Sequence, residues 1–139
     1  MALSWKEPYG SLMLPPFDKA ETRTRPTKYR GPVLICTSQK PYPWHIVQDI
    51  SGPVQFQRIT DMMSSVHFQP TGHAIAVGDL VDCRPTKKSD EDKCFVGWHT
   101  YLYVHVYENV RPIKPFPWKG KQGWKKVPQE IINQIEFIV

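Results

Sequence analysis

Fourteen prolines are scattered through 139 residues without any repeat. Each fixes its own φ and removes a backbone donor, so long uninterrupted helices are excluded over most of the chain. Eight glycines are spread in the same way, which suits many short elements joined by turns. A β-rich single domain spanning residues 1–139 is expected, because the chain is long enough for one core and too short for two.

Strand-length segments can be read directly. Ala2 to Trp5 is a short apolar run ended by Pro8-Tyr9-Gly10, and Ser11 to Leu14 forms a brief turn stopped by Pro15 and Pro16. From Glu21 to Arg25 the residues alternate, placing Glu21, Arg23 and Arg25 on one face and Thr22 and Thr24 on the other. Val33-Leu34-Ile35-Cys36 is continuously apolar and reads as a buried central strand. The proline-rich KPYPWH then reads as a loop, and Ser51-Gly52-Pro53 as a helix start with Phe56, Ile59, Met62 and Met63 on one face.

The strongest strand signal is His73 to Cys83, with Gly78 as a bulge candidate. Pro85 to Lys93 carries both charge signs without apolar period and reads as an exposed loop. Tyr101 to Val110 is a strand of aromatic and β-branched residues. Pro128 opens a short helix with Val127, Ile131, Ile132 and Ile135 on one face, and Phe137 to Val139 would close the sheet. No βαβ repeat is visible, so a small mixed α+β barrel fits better than a doubly wound sheet.

Charge narrows the partners. Eighteen Lys and Arg against 13 Asp and Glu give +5, a field favouring polyanions such as nucleic acid, although a merely soluble basic surface gives the same number. Three cysteines, with no C-x-x-C pair, argue against a secreted disulfide framework and for a reducing, cytoplasmic setting. The segment MALSWKEPYG has neither a signal-peptide pattern nor a membrane span, so no membrane association is expected. The five histidines lack H-x-x-x-H or H-E-x-x-H spacing, and the P-loop, dinucleotide and serine-esterase glycine motifs are absent; neither a metal nor a cofactor is expected.

Two constellations carry chemistry. Lys6, Lys19, Glu21 and Arg23 bring cations suited to phosphate or base edges together with a carboxylate that can accept from an amine or act as a base. The alternative is that they pair on a solvated face. In KPFPWKGKQGWKK, Lys114, Lys119, Lys121, Lys125 and Lys126 interleave with Phe116, Trp118 and Trp124, the mixture that single-stranded nucleic acid binding needs. Those aromatics could equally be core plugs.

The blocks ALSWKEPYGSLM, KAETRTRPTKYRGPVLICTS, GHAIAVGDLVDC and NVRPIKPFPWKGKQGWKKVPQEI together resemble the ASCH domain of the PUA-like superfamily over most of the chain. The resemblance implies a PUA-like small mixed β-barrel covered by short helices. It also implies a cleft for RNA or a modified nucleoside, with Trp5, Lys6, Tyr9, Arg23, Arg30, Lys119 and Trp124 as candidate binding residues. Some family members hydrolyse N4-acetylcytidine with a lysine, a threonine and a glutamate, and ribonuclease activity is assigned to others. Lys19, Glu21 and Thr22 are the corresponding catalytic candidates. Aligned on Arg23 and YRG, Glu21 takes the place of the threonine nucleophile; counted from Lys19, Thr22 does. Strand alternation sends the two to opposite faces, and the longer YRG block favours Glu21 inward with Arg23 beside it. Asp90, Glu91 and Asp92 are the available substitutes for the downstream glutamate. Binding therefore ranks above hydrolysis, and a protein-interaction role through the Trp- and Pro-rich loops is the third possibility.

Overall fold

The computed structural model describes residues 1–62, 68–99 and 102–138. Its strands are β1 (Ala2–Trp5), β2 (Glu21–Arg23), β3 (Gly31–Thr37), β4 (His73–Pro85) and β5 (Tyr103–Pro117), and its helices α1 (Trp44–Met62), α2 (Glu91–Cys94) and α3 (Gln129–Ile132). The strands form one five-stranded mixed sheet in the order β1-β3-β4-β5-β2. Only β1 and β3 run parallel; the other neighbours are antiparallel. The architecture is mixed α+β, and the sheet is open, with β1 and β2 at its two edges.

The continuous apolar run of β3 has a direct cause, because both faces of the strand are covered. Val33 and Ile35 pack with Leu3, Trp5, Val47 and Ile59, whereas Leu34 and Cys36 pack with Ala2, Val77, Ile113, Trp118 and Val127. The second face is closed by Ile131 and Ile135 around α3, in keeping with the apolar face expected there.

The sheet also curls. Trp5 on one edge and Arg23 on the other are four strands apart in pairing order, yet the guanidinium carbon lies 5.5 Å from the Trp5 ring centre. Register shifts between Ala74 and Ala76, Val77 and Asp79, and Leu80 and Asp82 run along the β4–β5 ladder, and bulges of this kind increase twist and bend strands. Gly78 falls within the second, as the sequence suggested; a Cβ there would stand 3.1 Å from Val110 Cγ2 and 3.2 Å from Ile35 Cδ1.

Several expectations need correction. KPYPWH is not all loop, since α1 already begins at Trp44; Gly52 (φ 77°) kinks the helix, and Pro53 starts its second limb. That limb buries Ile59 and packs Phe56 and Met62 against the core, as expected, while Met63 lies outside the described residues. The charged run after Pro85 is not simply a loop. It contains a 3₁₀ turn, Lys88–Asp90, and then α2, tied down by Arg84 donating to both Asp90 oxygens at 2.9 and 2.8 Å. β5 runs seven residues past Val110, to Pro117. β2 pairs only with Tyr103 to His105, and further along that side is met by the short segment at Glu136 to Ile138, where Lys114 N donates to Glu136 O at 2.7 Å and Pro112, lacking a donor, accepts through its carbonyl from Ile138 N at 3.1 Å. Phe137 makes an isolated bridge to Ile113 rather than a closing strand, and Tyr101 and Val139 lie outside the described residues. No described helix is long and apolar enough to cross a membrane.

Beneath the β1 exit, Glu7 is 5% exposed and accepts from Ser11 N (3.0 Å) and Ser11 Oγ (2.6 Å). Burial outweighs these bonds and raises its carboxyl from the usual 4.5 to about 7. The folded state thus holds this proton more tightly than the unfolded chain does. Its contribution to stability is greatest below about 4.5 and is lost as pH rises through about 7. Glu7→Gln should remove a loss of roughly 2–3 kcal/mol across that window. Urea unfolding of wild type and variant at several pH values checks this; a stability difference constant with pH would refute it.

Candidate functional site

The curl opens a cleft of about 1280 Å³ between the two sheet edges. One wall is β1 and the turn after it, which contribute Trp5, Lys6 and Tyr9. The facing wall is β2 with the segment before it, contributing Lys19, Glu21 and Arg23. The loop after β3 adds Lys40 and Tyr42, and the loop after β5 adds Lys119, Lys121 and Trp124.

Strand alternation sets the inner wall. Glu21 pairs with His105 and Arg23 with Tyr103, so these four share one face of the β2–β5 ladder, while Thr22 pairs with Val104 on the other. Lys19 is 2% exposed, its Nζ donating to Ala20 O at 2.9 Å and standing 3.6 Å from Glu21 Oε1. The same Nζ lies 5.6 Å from the Tyr9 ring centre. Tyr9 is itself fixed by a 2.5 Å hydrogen bond between its hydroxyl and Ser51 Oγ, and burial raises its phenol to about 12. Lys6 lies over Tyr42 at 5.4 Å, and Trp124 packs against Tyr29 at 5.3 Å.

Electrostatically the cleft is one-sided. Its lining residues include seven cations, Lys6, Lys19, Arg23, Arg25, Lys40, Lys119 and Lys121, against the single carboxylate of Glu21. That carboxylate is already beside Lys19 and accepts from Thr22 N at 2.9 Å.

Of the sequence candidates, Trp5, Lys6, Tyr9, Lys19, Glu21, Arg23, Lys119 and Trp124 line this one cleft. Thr22 borders it as well, and also a small recess with Glu91 and Cys94, but alternation parts its side chain from that of Glu21. Arg30 does not join them. It is exposed on the turn before β3, its guanidinium held by Thr27 O at 3.0 Å and Tyr29 O at 2.8 Å.

The proposed substitutes for a downstream glutamate do not join them either. Asp90 pairs with Arg84, Glu91 accepts from Trp98 N, and Asp92 lies with Gln55 and Arg58. In the lysine-rich segment both earlier alternatives hold in part. Phe116 and Trp118 pack in the second core cluster, Trp118 also bordering the cleft, while Lys119, Lys121 and Trp124 line the cleft, Trp124 packing as well against the first core cluster.

Sequence reading missed Lys40, Tyr42 and His105. His105 was legible from the alternation of Tyr103, His105 and Tyr107, but was weighed only for metal spacing. Among the described residues no group of three His, Cys, Asp or Glu could hold a metal ion. Comparison with known protein families and with curated proteins finds no match for the chain.

Removing Lys19 would leave Glu21 buried without its cation. Lys19→Met should cost about 3 kcal/mol of stability, and adding Glu21→Gln should restore more than half of it. Equilibrium urea unfolding of the single and double variants measures this coupling; additive losses would show that the two groups act independently.

Proposed function

We propose that the chain is an ASCH-type domain of the PUA-like superfamily whose cleft binds single-stranded RNA or a modified nucleoside. The observation that carries this reading is the seven-to-one excess of cations over carboxylates among side chains that also include Trp5, Tyr9, Tyr42 and Trp124. Phosphates need counter-charge and release condensed ions on binding, while unstacked bases need aromatic faces. At about 1280 Å³ the cleft exceeds the roughly 300–1,000 Å³ usual for small-molecule sites, which favours a stretch of polymer over a lone metabolite.

The approach of β1 and β2 through Arg23 and Trp5 supports the barrel-like, PUA-like element of the reading. A cytoplasmic setting is part of it, supported by the free thiols of Cys36, Cys83 and Cys94.

A second reading is hydrolysis of an N4-acylated cytosine nucleoside, or cleavage of RNA. It is favoured by one observation, the buried Lys19 beside Glu21 in the cleft wall, where the carboxylate would serve as base and the ammonium as electrostatic stabiliser. Turnover of N4-acetylcytidine or RNA that is lost in Glu21→Gln would establish this reading over simple binding.

For the binding reading, single-stranded RNA should bind at low salt and weaken steeply as salt is added. Lys6, Lys119 and Lys121 are exposed, so replacing all three by alanine should leave folding intact. The log–log salt slope should flatten by about 2, at roughly 0.7 per phosphate contact on a single strand. Fluorescence anisotropy across a salt series measures it; no binding at low salt, or an unchanged slope, would count against the proposal.

A further inference from the structure

Lys119, Lys121 and Trp124 reach the cleft from the segment between Trp118 and Lys125, and both ends of that segment are fastened. Trp118 N donates to Gly72 O at 2.9 Å, and Lys125 exchanges backbone hydrogen bonds with Ala2 at 2.7 and 3.0 Å. Trp124 is packed against the Tyr29 ring. The five residues between, Lys119 to Gly123, are less constrained. They include two glycines, which lose the most conformational freedom on ordering, and two lysines whose long side chains add to that cost. Among the described residues they take part in one hydrogen bond: the Lys125 ammonium donates to the Lys119 carbonyl.

Lys125 itself does not line the cleft. Its ammonium lies 4.8 Å from the ring centre of Trp118, which is buried, and from there it reaches six positions back to the carbonyl. The contact closes the segment end to end. Gly120, which follows the clasped carbonyl, lies directly on β1, where a Cβ would collide with Ser4 Oγ. The position of Lys125 is not one that charge alone would choose. Repulsion from Lys119 and Lys121 opposes a third cation beside the same loop. Its ammonium is turned to a carbonyl and an aromatic face, and a charged donor makes the stronger kind of hydrogen bond.

Resting on the reading of the cleft as an RNA site, we infer that Lys125 is a positioning residue for RNA binding. By clasping the Lys119 carbonyl it holds the loop in the shape that presents Lys119 and Lys121 to the phosphates. A loop ordered before its ligand arrives binds more tightly than one the ligand must order.

The test is fluorescence anisotropy of a labelled single-stranded RNA of mixed sequence. Lys125→Met, which keeps an unbranched chain over Trp118 and loses the donor, should weaken binding roughly tenfold. It should also flatten the log–log salt slope by about 1, although the residue removed touches no phosphate. Lys125→Arg, which keeps a cation and a donor, should stay within about threefold of wild type. In a Lys119→Ala, Lys121→Ala background the same Lys125→Met change should cost less than about twofold, because the loop then has no cations to present. If Lys125→Met fails to fold, Gly120→Ala serves: it should push the loop off β1 and weaken binding, and Ser4→Ala added to it should restore binding. If the RNA does not bind wild type at low salt, the RNA reading itself falls and this proposal with it. If the RNA binds but folded Lys125→Met matches wild type, or loses as much without Lys119 and Lys121 as with them, this proposal alone is overturned. Unchanged binding by Gly120→Ala overturns it equally.

Discussion

The approach of β1 to β2 is the constraint on which the rest of the molecule depends. An open sheet exposes two edges of unpaired backbone groups, which invite aggregation unless they are covered. Here β1 is covered by the chain beyond β5, where Ala2 and Lys125 exchange backbone hydrogen bonds at 2.7 and 3.0 Å. The start of β2 is held by Ala20 N donating to Lys93 O at 3.1 Å. With both edges tied to other segments, the sheet curls until Arg23 meets Trp5 and goes no further. The cleft is the gap left by that incomplete closure.

How much of this was legible in the sequence follows from how local each cause is. Ala2 to Trp5, Val33 to Cys36 and His73 to Cys83 are strands because period and composition say so, and each lies within β1, β3 or β4, whereas of the alternating run Glu21 to Arg25 only Glu21–Arg23 forms β2. The first limb of α1 was hidden by Pro41 and Pro43, whose loop signal masks a limb that buries only Val47 and Ser51. The reach of β5 beyond Val110 was hidden by prolines that a sheet accepts only where no neighbour needs their donors, a fact about pairing rather than about local sequence. The site divides along the same line. That Glu21 and Arg23 share a face opposite Thr22 follows from alternation, while the choice of that face as the inward one rests on the YRG block. That Lys40 and Tyr42 come to line the same cleft is a property of curl and strand order, which no single segment encodes.

Polar burial separates what this fold needs from what it tolerates. Arg84 and Asp90, neither of which lines the cleft, make a bidentate pair at 2.8 and 2.9 Å, and Asp90 also accepts from Lys87 N at 2.7 Å. The guanidinium of Arg84 holds the Asp90 carboxyl below its ordinary range, so this pair favours the folded state wherever Asp90 is ionised. It fastens the segment before α2 and has an evident structural role. At the cleft the pairing is looser: Lys19 stands 3.6 Å from Glu21, outside hydrogen-bonding range, and among the described residues Trp5 Nε1, Arg23 Nε, His105 Nδ1 and Tyr107 OH have no hydrogen-bond partner.

That contrast bears on purpose. Apolar side chains of similar volume at Lys19, Glu21 and His105 would spare the fold the desolvation of three polar groups, two of them ionisable as a buried pair. The groups and their neighbours nonetheless have defined contacts: Tyr9 is bonded to Ser51, Arg23 lies on Trp5, and His105 is bonded to the Arg25 carbonyl. Local departures from what stability alone would choose, set on a rigid frame, are where binding or catalysis is expected. Here they coincide with the cleft that also gathers seven cations and several aromatic faces. Charge alone would allow any polyanion.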